Sequence, residues 1–564
     1  MPPRARSGPS SAEPTQTVEQ IAAALEAFLA EHAKSVVVED GKVLFDMRTA
    51  KYSLATEHGR CTLQVWSEER NVVRRVSGAV ERGGPRDRVL RLAVQRFGQT
   101  RPSSLELLAD PDRRTPTTRE ATRLRYLRAL ERVMLRGPGV SRDHDESDRW
   151  GDWKADGFRT AMDLEKSFGP AYARGSLVQG QQAWAVIAVN AAESQATVDG
   201  ILTLGVLWLA HCRESAGGRR LYRGLRLIVP RGMATLTASR LTWMNADAVQ
   251  WELWEFDEKT EDLTQRDAAD HGNVTTRLIH APDEAAARER FGSSSSRVME
   301  LVPSAMREQV EQKIRSGTEM AFLLHGLEFA RVRMGYAGES FNREQEITFG
   351  AGANETPLTE ENAGELRELV ARLFARRGES GERRDPLYRM QPERWLESAL
   401  RRDVSLLDAH LDAAHVYTQV PAFAASGGTM DRGSMDRGTL DLLSVDQDGR
   451  LAVIELKADD DLHLALQGLD YWVRVRWHHQ QNPDRESGLG EFQRHGYFGG
   501  VRLAEGAPRL YLVAPALRVH PATEVVLRYL SPRVEWVLVA IDERWRKQVK
   551  VVWRKRSESW PGGG

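Results

Sequence analysis

Cysteine is almost absent: Cys61 and Cys212 are the only two in 564 residues, too few for a disulfide framework, so a reducing interior is expected. Long apolar runs are absent too. The longest, "ILTLGVLWLAHC" at 201–212, falls short of the roughly 20 residues of a membrane span and suits a buried helix. Residues 1–16 are rich in Pro, Ser and Arg with no apolar stretch, which reads as a disordered tail and not a secretory signal. The expected location is therefore cytoplasmic, with no membrane partner. No P-loop, G-x-S-x-G or CxxC pattern occurs, which removes the usual sequence signs of a Walker-type nucleotide site, a serine-hydrolase elbow or a dithiol centre. Net charge is also small, at −1, so bulk electrostatics favour no partner.

What the chain does have is an uneven distribution of cations. Between Arg60 and Arg136 there are 18 Arg against 9 Asp and Glu, and no Lys. Arginine presents a planar fork suited to phosphate, so the region is a candidate nucleic-acid grip, with Arg74 and Arg75 as candidate substrate contacts. The competing reading is a solvated helix face, because Arg123, Arg125, Arg128, Arg132 and Arg136 fall along one expected helix.

A length of 564 residues suggests three to five units at about 150 residues each. A helix over 17–34, β-type runs "SVVV", "KVLFDM", "CTLQVW" and "VLRLAVQRF", and the Arg-rich helix over 116–136 make an α+β module at 17–140. The polar stretch "GPGVSRDHDESDRWGDW" leads into a unit at 141–280. "GSSSS" (292–296) reads as a linker before a helix near 303–315, strands, and a helix from Thr359, giving a second α+β module at 281–385. Residues 386–556 read as helix, three strands, helix, strand, helix, strand, an α/β core with a mixed sheet, and 557–564 as a disordered tail. The fold class is α/β plus α+β multidomain.

Chemistry concentrates in "GGTMDRGSMDRGTLDLLSVDQDGRLAVIELKADDD" (427–461). Glu455 and Lys457 are two apart on a strand, so their side chains leave one face. "LAVI" before them marks a strand buried on both faces, where charged groups must be paired or bound to a cation. "DQDG" (446–449) is a hairpin turn, and folding about it sets Asp441 opposite Glu455, give or take one residue. Two converging carboxylates repel unless a hard dication lies between them, and Mg²⁺ prefers oxygen ligands with waters and phosphate completing its shell. Lys457 could hold an attacking water or neutralise charge on the phosphate. Asp431 and Asp436 look like a five-residue duplication in a Gly-rich loop, with Arg437 within reach of a phosphate. Asp461 reads as a helix N-cap, and His478 and His479 as surface or substrate-edge groups.

Asp441, thirteen intervening residues, then Glu455-Leu456-Lys457 resembles the PD-(D/E)xK nuclease superfamily. Gln467 and Tyr471, at i and i+4 on the following helix, resemble the Q-x-x-x-Y element of its RecB-type branch. "ERWLESAL" fits the first helix of that core, with Glu397 as its acidic residue, and "GTLDLLSVDQDGRLAVIELK" is similar to NucS-like DNA endonuclease domains. The resemblance covers about 390–475 closely and runs more loosely to about 553. It implies a restriction-endonuclease-like sheet in which Asp441 and Glu455 hold Mg²⁺ or Mn²⁺. Lys457 would position the hydrolytic water, and Gln467 and Tyr471 orient a DNA strand that ends as a 5′-phosphate.

The chain also resembles itself. "WAVIAVN" (184–190) matches "LAVIELK" (451–457), "LRLIVP" (225–230) parallels "LYLVAP" (510–515), and "VQWELWEFDE" (249–258) parallels "VEWVLVAIDE" (534–543). The last two pairs share an offset of 285. In this alignment Glu455 meets Ala188, Lys457 meets Asn190, and Asp441 falls near Val178. Gln467 and Tyr471 meet about Gly200 and Leu204. Unit 141–280 is then a degenerate, non-catalytic copy used for packing, dimer contact or substrate grip, and a homodimer is compatible with it. The expected function is metal-dependent hydrolysis of DNA phosphodiesters in repair or defence. The alternatives are a nucleic-acid-binding or sensing protein that keeps the frame without turnover, and a nuclease acting on RNA or a cyclic nucleotide.

Overall fold

The computed structural model describes residues 16–560 apart from 34, 40–41, 48–49, 58–59, 67–70, 83–87, 97–102, 110–113, 137–152, 161–167, 270–275, 337–342, 353–355, 379, 421–423, 426–438 and 481–487. Two compact units divide after Glu120. In the first, α1 (Val18–Glu31) precedes β1 (Val36–Glu39), β2 (Lys42–Asp46), β3 (Lys51–Glu57), β4 (Arg60–Trp66), β5 (Asn71–Arg82), β6 (Val89–Arg96) and β7 (Ser103–Leu108). These strands form one antiparallel sheet, ordered β2-β1-β7-β6-β5-β4-β3. A capping box between Thr17 and Gln20 starts α1, whose Ile21, Leu25, Phe28 and Leu29 stripe packs on Leu63, Val65, Leu92 and Val94. Gln16, expected in the tail, instead exchanges two hydrogen bonds with the Ala79 backbone, at 2.7 and 2.8 Å.

The second unit holds three large sheets. α2 (Arg114–Arg136) enters it, followed by β8 (Lys154–Arg159), β9 (Tyr172–Gln179), β10 (Gln182–Val189), α3 (Gln195–Asp199), α4 (Ile201–Ala216), β11 (Leu221–Pro230), α5 (Thr235–Leu241), β12 (Gln250–Asp257) and β13 (Asp262–Arg266). The sheet runs β13-β12-β11-β10-β9-β8, parallel across β10-β11-β12 and antiparallel on both flanks. The Arg-rich helix was expected in the first module. Its stripe of Tyr126, Leu127, Leu130, Val133 and Met134 instead seals one face of this sheet, and α4 and α5 cover the other.

Next come β14 (Thr276–Arg277), α6 (Glu284–Glu300), β15 (Val310–Ser316), β16 (Glu319–Leu324), β17 (Leu327–Tyr336), β18 (Arg343–Phe349), β19 (Thr356–Pro357) and α7 (Ala363–Arg376). β15 to β19 form an antiparallel meander in sequence order under α6 and α7. The "GSSSS" linker is corrected here: it lies inside α6. Asp283 caps that helix, Ala287, Phe291 and Val298 bury its inner stripe, and the Ser295 hydroxyl donates to Gln312 at 2.9 Å. The expected helix near 303–315 is a 3₁₀ turn, Ser304–Gln309, followed by β15.

The C-terminal part contains α8 (Pro386–Arg389), α9 (Pro392–Arg402), β20 (Tyr417–Val420), β21 (Ala424–Ala425), β22 (Leu440–Val445), β23 (Leu451–Leu456), α10 (Leu464–His479), α11 (Glu491–Arg494), β24 (Arg509–Pro515), α12 (Pro521–Leu527), β25 (Trp536–Ile541) and β26 (Val551–Arg556). Its sheet is β20-β22-β23-β24-β25-β26, parallel across β23-β24-β25 and antiparallel outside. Order and sense repeat those of the upstream sheet. α9 covers one face and α10 with α12 the other, so β23 is buried at every residue. Trp560, expected in the tail at 557–564, is instead buried against Tyr511 with ring centroids 5.4 Å apart.

The two six-stranded sheets share one core through α4, α5, α10 and α12. Trp243 meets Trp472 edge-on at 4.8 Å, and Arg240 forks onto Asp470 at 2.7 and 2.8 Å. The Asn245 N–H donates to Tyr529 O, and the Ser531 N–H to Trp243 O, both at 2.8 Å. Among the described residues no helix is long and apolar enough to cross a membrane.

Candidate functional site

The hairpin β22–β23 builds the site. Asp446 accepts from the Asp448 and Arg450 N–H groups at 3.0 and 2.9 Å, and Gly449 takes φ 81°, the left-handed turn position expected for it. Pairing of Leu442 with Ile454, continued by one residue, sets Asp441 opposite Glu455. The Leu456 N–H donates to Asp441 Oδ2 at 2.9 Å, and Lys457 Nζ donates to Glu455 Oε1 at 3.1 Å. Glu455 is 2% exposed, and its Oε2 is buried with no hydrogen-bond partner among the described residues.

Charge crowds here. Burial, then the Asp441 charge, pushes the Glu455 carboxyl well above the ordinary carboxylate range. Burial also raises Asp441, against the pull of Lys457, the Leu456 N–H and Arg394. Burial lowers the Lys457 ammonium, but Glu455, Glu393, Asp441 and Asp461 outweigh that and hold it above the ordinary lysine value. Lys457 is therefore a fixed cation and not a free base. Its other neighbours are Glu393 at 3.9 Å and Asp461 at 4.0 Å. Asp461 also accepts from the His463 N–H at 2.7 Å, where α10 begins.

α10 turns Tyr471 toward the acids: burial first, then Glu455 and Asp441, raise its phenol, which stays a neutral donor. One turn earlier, Gln467 Oε1 is buried without a partner among the described residues. α9 supplies two acids of different character. Glu397, expected near the metal, is 5% exposed and takes Lys313 Nζ at 3.3 Å, Arg394 Nη1 at 2.8 Å and Gln419 Nε2 at 2.7 Å. Those donors use both its oxygens. Glu393, one turn before it, is the acid that faces Lys457. It is pushed up to about 7, by burial first and by Asp441, Asp461 and Asp459 against Lys457, and water screens this push because 45% of its side chain is exposed.

Lys313, Arg394, Gln419 and Glu393 escaped the sequence reading. Lys313 comes from β15 of another sheet. Gln419 sits at φ 52° in β20, between Thr418 and Val420 with the register unshifted, and its amide donates to Glu397 at 2.7 Å. Glu393 and Arg394 left a sequence signal, standing four and three residues before Glu397 on one helix.

The upstream sheet corrects the alignment by one residue. Leu225 and Leu510 are equivalent at the 285 offset, and they pair with Ala185 and Val453. Glu455 is therefore equivalent to Ile187, not Ala188, and Lys457 to Val189, not Asn190. Arg174, opposite Ile187, stands where Asp441 does, in place of Val178. The letters of "WAVIAVN" align, but a slip of one residue puts every side chain on the wrong face. Gly205 packs on Leu225 and Leu227 as Gly468 packs on Leu510 and Leu512, so Leu204 and Trp208 answer to Gln467 and Tyr471, correcting Gly200 and Leu204. Arg174 is 1% exposed and stacks on Phe168 at 4.6 Å and Trp208 at 5.7 Å.

Arg437, Asp431 and Asp436 lie outside the described residues. Arg74 forks both oxygens of buried Glu39 at 2.8 Å, and partly buried Arg75 lies beside it on β5, so Arg74 is committed within its own sheet. Along α2, Arg123 pairs with Glu193 at 2.8 Å and Arg132 with Glu261, the mark of a helix flank. His478, expected as a surface or substrate-edge group, is 3% exposed and bound to Glu491 at 2.9 Å. Cys61 and Cys212 are both free and buried. Among the described residues, no group of three or more His, Cys, Asp or Glu side chains forms a ready metal cage. No family model, curated protein or solved structure matches this chain.

Proposed function

We propose that the chain is a metal-dependent nuclease that hydrolyses DNA phosphodiesters at the Asp441–Glu455–Lys457 cleft, on a restriction-endonuclease-like sheet. The single observation behind this reading is the pair of carboxyls from neighbouring strands, one with a buried oxygen that has no hydrogen-bond partner among the described residues, beside the Lys457 ammonium. Oxygen-only donors crowded against each other suit Mg²⁺ or Mn²⁺, with Asp441 and Glu455 as holders and open positions left for water and phosphate. When bound, such a dication supplies Lewis acidity and an acidified water.

The chain's own residues do the rest. The Lys457 ammonium orients the attacking water or steadies a non-bridging phosphate oxygen as charge grows there. Water oxygen bonds to phosphorus while the P–O3′ bond breaks, leaving a 5′-phosphate and a 3′-hydroxyl. Neutral Tyr471 and the Gln467 amide would hold the strand. Glu397, satisfied by Lys313, Arg394 and Gln419, positions α9 and does not hold metal; Glu393 is the α9 acid able to join the cleft. The test is a panel of single-stranded, duplex, flapped and mismatched DNA plus RNA, each with Mg²⁺, Mn²⁺ or EDTA. DNA cleavage that EDTA and Asp441→Ala both stop is expected, and full activity in Asp441→Ala refutes the assignment.

A second reading, nucleic-acid binding without turnover, draws on the absence of a ready three-ligand cage among the described residues. Tight DNA binding with no cation-dependent cleavage across the panel would favour it.

A further inference from the structure

Arg546 lies in the turn between β25 and β26, and its guanidinium rests on three rings: Trp545 at 4.2 Å, Tyr388 at 5.0 Å and Trp395 at 5.3 Å. It has no ion pair or hydrogen bond with any described residue, and its Nε is buried without a partner. Its neighbour Arg377 shows the contrast. That side chain is wholly buried and satisfied by carbonyls of Leu324, His325, Leu387, Met390 and Gln391. Arg377 is a structural staple. Arg546 is a donor set resting on aromatic faces with no acceptor among the described residues.

Its surroundings carry the same sign. Arg383 and Arg384, just before Tyr388, and Arg544, Lys547 and Lys550, around Arg546, are all exposed, against Glu382, Glu543 and Asp459 as exposed acids. Burial draws the Arg546 guanidinium below its ordinary value; Tyr388 and Asp459 oppose this, and Arg383 adds to it. Asp459 acts on Glu393 as well, and Trp395 stands two residues from Glu393 on α9, so this basic patch borders the acid cleft.

We propose that Arg546, with Arg383, Arg384 and Lys547, grips the phosphate backbone of a nucleic acid on its way into the cleft. An arginine pre-stacked on aromatic rings loses little side-chain freedom on meeting phosphate, and the exposed cations around it release counterions when the strand binds. Sequence reading placed the grip at 60–136; this patch sits beside the chemistry itself. The proposal rests on the nuclease reading for its ligand.

The experiment is fluorescence anisotropy of labelled single-stranded and duplex 30-mers with full-length protein in EDTA, over a salt series. Arg546→Met is compared with Arg383→Gln/Arg384→Gln/Lys547→Gln, whose three side chains are exposed and leave the core untouched. Expected is about a tenfold affinity loss for Arg546→Met, and for the triple variant a log–log salt slope shallower by about 0.7–0.9 per lost contact. Unchanged affinity and slope in both variants, with wild type binding and cleaving DNA, overturns this proposal alone. A wild type that binds acidic polypeptide but neither binds nor cleaves nucleic acid overturns the nuclease reading with it.

Discussion

Two sheets of one topology lie in this chain, and they differ at every position of the candidate site. Where the C-terminal sheet carries Asp441, Glu455, Lys457, Gln467 and Tyr471, the upstream sheet carries Arg174, Ile187, Val189, Leu204 and Trp208. The frame therefore does not need the acids. In the upstream sheet a cation on two rings fills the space and an aliphatic pair closes it. In the C-terminal sheet burial raises both carboxyls, and the Asp441 charge raises Glu455 further, a local conflict that the upstream sheet lacks.

The comparison breaks first on activity. Asp441→Ala and Glu455→Gln should each lower DNA nicking by about 10³-fold, while Arg174→Met leaves the rate per folded molecule within about twofold, read as initial rates on supercoiled DNA. Lys457→Met should cost about 10²-fold with its fold intact by circular dichroism. Next comes Lys313→Met, which strips a largely buried partner from Glu397 and should lower unfolding free energy by about 3 kcal/mol in urea titration.

A pH series sharpens the contrast further. Asp441 and Glu455 hold protons more tightly when folded, so the stability they contribute is present below the unfolded carboxylate pKa and lost as pH rises through their raised folded values. The metal-free protein should thus melt lower at pH 8 than at pH 5. Asp441→Asn/Glu455→Gln should flatten that fall and add about 1–2 kcal/mol at pH 8, with millimolar Mg²⁺ stabilising only the wild type. If Mg²⁺ shifts the double variant equally, the acids are not its holders. The smallest effect tests the shared frame. Gly205→Ala and Gly468→Ala each push a Cβ against leucine methyls, at 2.8 and 2.4 Å, and should cost similar amounts, about 1–2 kcal/mol.

Much of the C-terminal sheet was legible because its signals were local: "LAVIEL" as a doubly covered strand, a turn with Gly at φ 81°, and the two-residue spacing of Glu455 and Lys457. The repeat was legible at β11 and β12, where the 285 offset holds, and was misplaced at β10, where shared letters outweighed register. "GSSSS" failed because composition was read without the Ala287, Phe291 and Val298 spacing that spans it. Lys313, Gln419 and Arg546 could not be found from sequence, since each reaches its place through tertiary packing.

The single interior beneath both six-stranded sheets has a consequence for anyone cutting this gene. Excising residues 386–560 as a minimal enzyme would strip the cover from Leu469, Trp472 and Val526, and leave Asp470 without its arginine fork. Such a fragment should aggregate unless the upstream half is supplied in trans. The half without the site's acids would then act as an obligate subunit that happens to be covalently attached, and deletions within it should unfold the candidate site without touching its residues.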